Sequence, residues 1–337
     1  MKPQVFVFSR LKPPFLAELE AHYQVTQLDP KGDIQGQYAA ALPHVQGMIG
    51  VGRPLGEAEL AQAGQLKVIS SVSVGYDNYD LPYLNSRSIM LTNTPDVLTE
   101  TTADLGFALL MSAARRLPEL DAWVKAGQWQ RTVGPAEFGV DIHGKTLGIV
   151  GLGRIGAALA RRGHFGFRMP VLYSGNSRNS RKPELEAELG ARFLPLDDLL
   201  AQADFVVLVV PLGPETRNLI GRRELALMKD SAILVNLARG AVVDEPALIE
   251  ALQSRQIRGA GLDVYQTEPL AASPLFALPQ VVTLPHLGSA TEETRDAMAR
   301  RALDNFHQAM KGERPRDLVN PQVWPEAGHA PVMGRLP

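Results

Sequence analysis

The stretch "TLGIVGLGRIGAALARR", residues 146–162, decides the fold. An apolar, β-branched run leads into Gly151, Gly153 and Gly156, and an alanine-rich helical pattern follows them. Spaced glycines alone are a weak signal. Between a strand and a helix they mark a dinucleotide-binding turn. Gly151 permits the tight turn, Gly153 lets the main chain approach a pyrophosphate, and Gly156 lets the helix pack close to the strand. The helix N-terminus, with Arg154 and Ile155 in its first turn, presents free N–H groups and a partial positive charge to phosphates.

Outward from this turn the chain alternates strands and helices. After it come "PVLYS", "ARFL", "FVVLVV", "AILVNL", "GAGLDV" and "VVTLP", most of them separated by helical segments. Before it, "QVFVF", "QVTQL", "VQGMIGV", "LKVISSV" and "IMLTN" form an earlier series of the same kind. Strands alternating with helices imply parallel sheets. The series are separated by "TETTADLGFALLMSAARRLPELDAWVKAG", a helical stretch that Pro118 should kink or restart. "SATEETRDAMARRALDNFHQAMKG" is an amphipathic helix suited to a return to the first series. The expectation is two doubly wound α/β domains. Residues 1–98 plus 290–325 form a split, flavodoxin-like domain, and 99–289 an inserted Rossmann domain, with a cleft between them. Residues 326–337 are a proline-rich tail.

Composition narrows the function. The 337 residues exceed a single ordinary core. No cysteine is present, which removes disulfides, thiolate zinc sites and a cysteine nucleophile and fits a cytoplasmic protein. No apolar run is long enough for a bilayer and no signal peptide is legible. A net charge of −2 without a basic stripe argues against nucleic acid. No second histidine stands at ligand spacing from His286, so no metal is expected.

The strand after the glycine turn selects the cofactor. An NAD-binding strand ends on an acid that binds the ribose hydroxyls and repels a 2′-phosphate. This one ends "YSGNSRNSRK", residues 173–182, with no acid before Glu184. Ser174, Asn176, Ser177, Arg178, Arg181 and Lys182 offer hydroxyl, amide and cationic groups that suit a phosphate. The reading is NADPH over NADH.

Three polar residues stand at or just beyond strand ends, the edge where ligands bind in an open α/β sheet. They are Arg239 in "ILVNLARGAVVDEPALIEAL", Glu268 in "GLDVYQTEPL" and His286 in "LPHLGSA". Reduction of a 2-keto acid needs a carboxylate clamp, a hydride donor and a proton donor. Arg239 can grip a carboxylate or keto oxygen in a fork of N–H bonds. His286 is the natural acid, and Glu268 can accept its other ring N–H and fix the tautomer.

At these residues the sequence resembles the D-isomer-specific 2-hydroxyacid dehydrogenase family over roughly residues 1–324. "GLGRIG", "NLARGAVVDEPALIEAL", "GLDVYQTEPL" and "LPHLGSAT" carry the resemblance. "TPDVLTETTADLGFALLMSAARR" and "GKTLGIVGLGRIGAALARRGHFGF" look most like its glyoxylate/hydroxypyruvate and 2-ketogluconate reductase branch. The resemblance implies that Arg239, Glu268 and His286 are catalytic and that His286 donates the proton to a small 2-keto acid, or removes it from the 2-hydroxy acid in reverse. It implies that the N–H groups of Val74 and Gly75, in "SSVSVGYDNYD", hold the substrate carboxylate, and that substrate bridges the two domains. Thr102, Pro211, Leu237, Asp263 and Gly288 are placed around the cofactor, with Asp263 at the nicotinamide end. Homodimers built through the nucleotide domain are the family's habit, and the loop from Trp129 to Gly139 is the candidate for reaching a partner subunit. The rivals are an NAD-dependent enzyme for another 2-hydroxy acid and a dinucleotide-sensing co-repressor without turnover. An intact Arg239, Glu268 and His286 set counts against the sensor, which needs no proton donor.

Overall fold

Apolar runs in the middle of each sheet become strands of four residues buried on both faces, as parallel sheets require. The structure, a computed structural model, describes residues 1–175 and 181–324. It contains two all-parallel sheets, of five and seven strands. The chain divides into one unit of residues 1–98 with 291 onward and a second of Thr99–Ala290.

The first sheet holds β1 (Gln4–Val7), β2 (Gln24–Gln27), β3 (Gly47–Gly50), β4 (Val68–Ser71) and β5 (Met90–Thr92), in the order β2-β1-β3-β4-β5. This is the flavodoxin-like order. β3 and β4 are buried along their length, whereas β2 at the edge alternates. The helix Glu292–Met310 closes this unit. Thr291 caps it by accepting the Thr294 N–H, and Met298, Ala302, Leu303 and Phe306 join Val5, Val7 and Val68 in one core. Gly47 makes the approach possible, since a Cβ there would lie 2.6 Å from the Phe306 ring. Ser70 Oγ donates to the Ala302 carbonyl at 2.7 Å, a buried tie between helix and sheet.

The second sheet holds β6 (Leu147–Val150), β7 (Val171–Ser174), β8 (Arg192–Phe193), β9 (Phe205–Leu208), β10 (Ile233–Asn236), β11 (Gly259–Leu262) and β12 (Val281–Thr283). Its order is β12-β11-β10-β9-β6-β7-β8. From β6 the chain winds one way through β7 and β8, then returns to pair β9 on the other side of β6. β6 therefore ends at a topological switch point, where such sheets bind ligands. The stretch before it is broken as Pro118 predicts. One helix runs Thr99–Arg115, Arg116 takes a left-handed φ of 55°, and a second helix runs Leu117–Lys125 with Pro118 in its first turn. Among the described residues no helix is long and apolar enough to cross a membrane.

Candidate active site

At the end of β6 each glycine meets a different constraint. Gly151 has φ +100°, and a Cβ there would press on Val210 and the Val209 carbonyl at 2.8–2.9 Å. Gly153 precedes the helix Arg154–Arg161 and has open space where a Cβ would project. Gly156 faces the Gly151 carbonyl, which its Cβ would approach to 2.3 Å. The turn is tight, the helix is close to the strand, and the middle glycine leaves main chain bare. That cradle fits a pyrophosphate.

β10 delivers Arg239 through a braced turn. Asn236, the last strand residue, is 1 % exposed. Its Oδ1 accepts the Ala238 N–H at 3.0 Å and its Nδ2 donates to the Arg239 carbonyl at 3.1 Å, so one side chain staples the turn from both sides. Arg239 is half-buried and its Nη1 donates to the Ala238 carbonyl at 2.8 Å. The next residue must be glycine. A Cβ on Gly240 would sit 1.7 Å from the Tyr265 carbonyl carbon.

Tyr265 lies just beyond β11, and its N–H donates to Glu268 Oε1 at 3.0 Å. The other carboxylate oxygen, Oε2, is 2.7 Å from His286 Nδ1. A carboxylate only accepts, so Nδ1 carries the proton and Nε2 is left for a ligand. Burial pushes the Glu268 carboxyl up. The His286 and Tyr265 hydrogen bonds and the charges of His286 and Arg239 outweigh burial and hold it below the usual carboxylate range. The carboxylate is thus kept ionised between the imidazole and the guanidinium.

His286 stands in an unusual main-chain conformation, with φ +56°. Asp263, immediately after β11 and 2 % exposed, holds it there. The Asp263 carbonyl accepts the His286 N–H at 2.9 Å. Its carboxylate accepts the next two N–H groups, Leu287 at 2.6 Å and Gly288 at 2.9 Å. Thr102 Oγ1 completes the turn by donating to the Gly288 carbonyl at 2.8 Å. Asp263 and Thr102, assigned to the cofactor from the resemblance, thus have their side chains turned on the chain that carries His286.

Of the other residues read as cofactor contacts, Ser174 ends β7 and is buried, its carbonyl accepting the Gly151 N–H at 2.9 Å. Leu237 lies against Gly106, where a Cβ would come within 2.3 Å of its side chain. Pro211 is exposed, and its carbonyl accepts the Thr216 hydroxyl at 2.7 Å. Asn176, Ser177 and Arg178 lie outside the described residues. Arg181 forms a fork with Glu186, at 2.7 and 3.2 Å, and Tyr173 donates its hydroxyl to the same carboxylate. Sequence reasoning missed Glu186 as a partner for that cation. It also missed Asn236, whose signal was an amide at the end of an otherwise apolar strand. In the other unit, Val74 and Gly75 follow the carboxyl end of β4.

Residues 107–288 match the model for the D-isomer specific 2-hydroxyacid dehydrogenase, NAD binding domain. The chain is 49 % identical over 325 residues to a glyoxylate/hydroxypyruvate reductase B of Klebsiella pneumoniae, covering 96 % of this chain and 100 % of the relative. A Thermus thermophilus crystal structure superposes with a TM-score of 0.86 at 40 % identity, over 94 % of this chain and 99 % of that one. An NADPH-dependent glyoxylate/hydroxypyruvate reductase from Sinorhizobium meliloti, in complex with NADP and malonate, has a TM-score of 0.86 at 31 % identity, over 98 % and 100 %. The chain belongs to the D-isomer specific 2-hydroxyacid dehydrogenase family, in its glyoxylate/hydroxypyruvate reductase branch, and is an oxidoreductase that interconverts 2-keto and 2-hydroxy acids.

Proposed function

We propose that this protein is an NADPH-preferring reductase of a short 2-keto acid, namely glyoxylate, hydroxypyruvate or 2-ketogluconate, with His286 as the proton donor. The 2.7 Å contact of His286 Nδ1 with Glu268 carries the reading. It leaves Nε2 as the group that gives a proton to the oxygen of a reacting carbonyl. Arg239 binds the carboxylate or keto oxygen of the substrate, and its charge stabilises the developing alkoxide. The N–H groups of Val74 and Gly75 hold the carboxylate. In the reverse direction His286 Nε2 takes the proton of the hydroxyl.

The glycine cradle fits a dinucleotide, which supplies the hydride when bound. NADPH is favoured by the absence of an acid at the end of β7. Because Arg181 is shared with Glu186, the selecting charge falls chiefly on Arg178 and Lys182, with the neighbouring hydroxyls as hydrogen-bond partners. Homodimer formation is supported by Leu117, Trp129, Val133 and Phe138, all exposed and apolar on or just after the short helix Leu117–Lys125. Sedimentation at micromolar concentration tests that assembly.

The deciding experiment is steady-state oxidation of NADPH and NADH with the three keto acids in parallel. Turnover with NADPH supports the proposal, and the ratio of kcat/KM values selects the substrate. Preference for NADH refutes the cofactor assignment. Tight dinucleotide binding without turnover on any keto acid would favour a sensor.

A further inference from the structure

We propose that Asn93 is a positioning residue that aims the carboxylate-binding N–H of Gly75. The inference rests on the reading of Val74 and Gly75 as the carboxylate site. A trans peptide sets its C=O and N–H on opposite sides, so fixing one end of the unit aims the other. Two consecutive peptides after β4 are fixed in this way. The Ser73 carbonyl accepts the Thr94 N–H at 2.9 Å. The Val74 carbonyl accepts Asn93 Nδ2, also at 2.9 Å. Both carbonyls turn toward residues 93–94, so the Val74 and Gly75 N–H groups turn away from them. Among the described residues neither of these two N–H groups has a hydrogen-bond partner. Successive unpaired N–H groups on one side of a loop form an anion-binding concavity.

Asn93 is itself held. Its carbonyl accepts Asn305 Nδ2 at 3.1 Å and its N–H donates to the Asp317 carbonyl at 3.3 Å. Asn305 is 1 % exposed and also bonds the Asp317 carboxylate, which is paired with Arg301. A chain of bonds thus runs from the helix Glu292–Met310 through Asn93 to the Gly75 peptide. The residue type follows from the task. A carbonyl needs a donor, which Asp at neutral pH lacks and an aliphatic residue cannot supply.

The test uses the full-length enzyme with glyoxylate as the probe substrate. Gly75→Pro removes the N–H itself, and Asn93→Leu removes the group that aims it. Each should raise the glyoxylate KM on the order of 10- to 100-fold, with a smaller effect on kcat and an unchanged dinucleotide Kd. The double variant should match Gly75→Pro alone, because Asn93 acts through that N–H. A wild-type KM in Asn93→Leu beside a raised one in Gly75→Pro overturns the proposal and leaves the carboxylate site standing. An additive double variant overturns it too, since Asn93 then acts by another route. A wild-type KM in Gly75→Pro removes the carboxylate site and the proposal with it. Should Gly75→Pro fail to fold, Asn93→Asp decides. Its KM relative to wild type should fall between pH 7 and pH 4.5 as the new carboxyl regains a donor, and a flat ratio overturns the proposal.

Discussion

Asp263→Asn is the sharpest perturbation of the site. The wild-type carboxylate accepts two neighbouring N–H groups, of Leu287 and Gly288, and so holds His286 at φ +56°. A left-handed conformation costs a residue with a side chain about 1–2 kcal/mol. Each charge-assisted bond contributes about 1.5–3 kcal/mol. An asparagine keeps one acceptor and turns an NH2 group on the remaining N–H. One bond is lost and two donors are set face to face, which is enough to release the strained turn. His286 then relaxes toward negative φ and its ring leaves the Glu268 carboxylate. A displacement of about 1 Å is worth roughly 10²-fold in rate.

Global stability should respond differently. Burial pushes the Asp263 carboxyl above its usual range even though both N–H bonds pull it down. The charged form therefore carries a net desolvation cost that the neutral amide recovers. Loss and recovery oppose, and the net change in unfolding free energy should stay within about 2 kcal/mol. The assay is kcat, dinucleotide Kd and Tm on the same preparation. The expected result is a roughly 10²-fold lower kcat with Tm shifted by only a few degrees. Wild-type kcat would refute the argument that Asp263 holds His286. A loss confined to dinucleotide Kd would return Asp263 to the cofactor. In the His286→Ala background, Asp263→Asn should slow the enzyme no further.

Glu268→Gln keeps an acceptor for the imidazole but removes its charge. kcat/KM should fall about 10- to 100-fold with dinucleotide Kd unchanged, and a wild-type rate would remove Glu268 from the mechanism. Gly240→Ala places a methyl inside the Tyr265 carbonyl, so the main chain must shift. A loss of at least about 3 kcal/mol in thermal unfolding is expected, and a stable, active variant would contradict the packing. Asp317→Asn strips the partner from Arg301, a pair with side chains 7 % and 17 % exposed. The cost should be about 3 kcal/mol, or roughly 6–12 °C in Tm. Burial raises the Asp317 carboxyl, but Arg301 and Asn305 outweigh it and hold it below its usual 3.8. The pair's stabilisation is therefore complete above that value and is lost as pH falls through the lower folded one. The Tm difference between wild type and variant should close in acid, and a pH-independent gap would contradict the assignment.

The strand and helix order was legible because both sheets are parallel. Their central strands are mostly apolar runs, and helical periodicity separates them. Arg239, Glu268 and His286 were legible for a related reason, since a polar residue that follows an apolar run lies at the sheet's carboxyl edge. The brace at Asn236 was within reach, because its two bonds close over two and three residues. Asp263 was not. Its bonds reach 24 and 25 residues along the chain and exist because β11 and β12 are neighbours. The pair of Arg181 and Glu186 is not legible from the strand end, because its acid stands in the following helix Pro183–Leu189.

Exposure separates the residues proposed to react from those that hold them. A buried polar group is costly unless its hydrogen bonds are made, so a buried amide or carboxylate at a sheet edge is already committed to the chain. Asn236 and Asp263 are fully buried, and among the described residues their side-chain hydrogen bonds all go to main chain. The side chains of His286 and Glu268 are 48 % and 34 % exposed. His286 keeps one ring nitrogen for a ligand, and Glu268 gives its second oxygen to that ring. The same contrast appears in the first unit, where buried Asn305 and the Asp317 side chain stand behind the half-buried Asn93. The proposed catalytic geometry depends on backbone conformations that the sequence alone would not favour, a left-handed histidine and a stapled arginine turn. Their holders need no contact with substrate. Substitutions at Asn236 and Asp263 should therefore appear first in kcat and only later, if at all, in the affinity for dinucleotide.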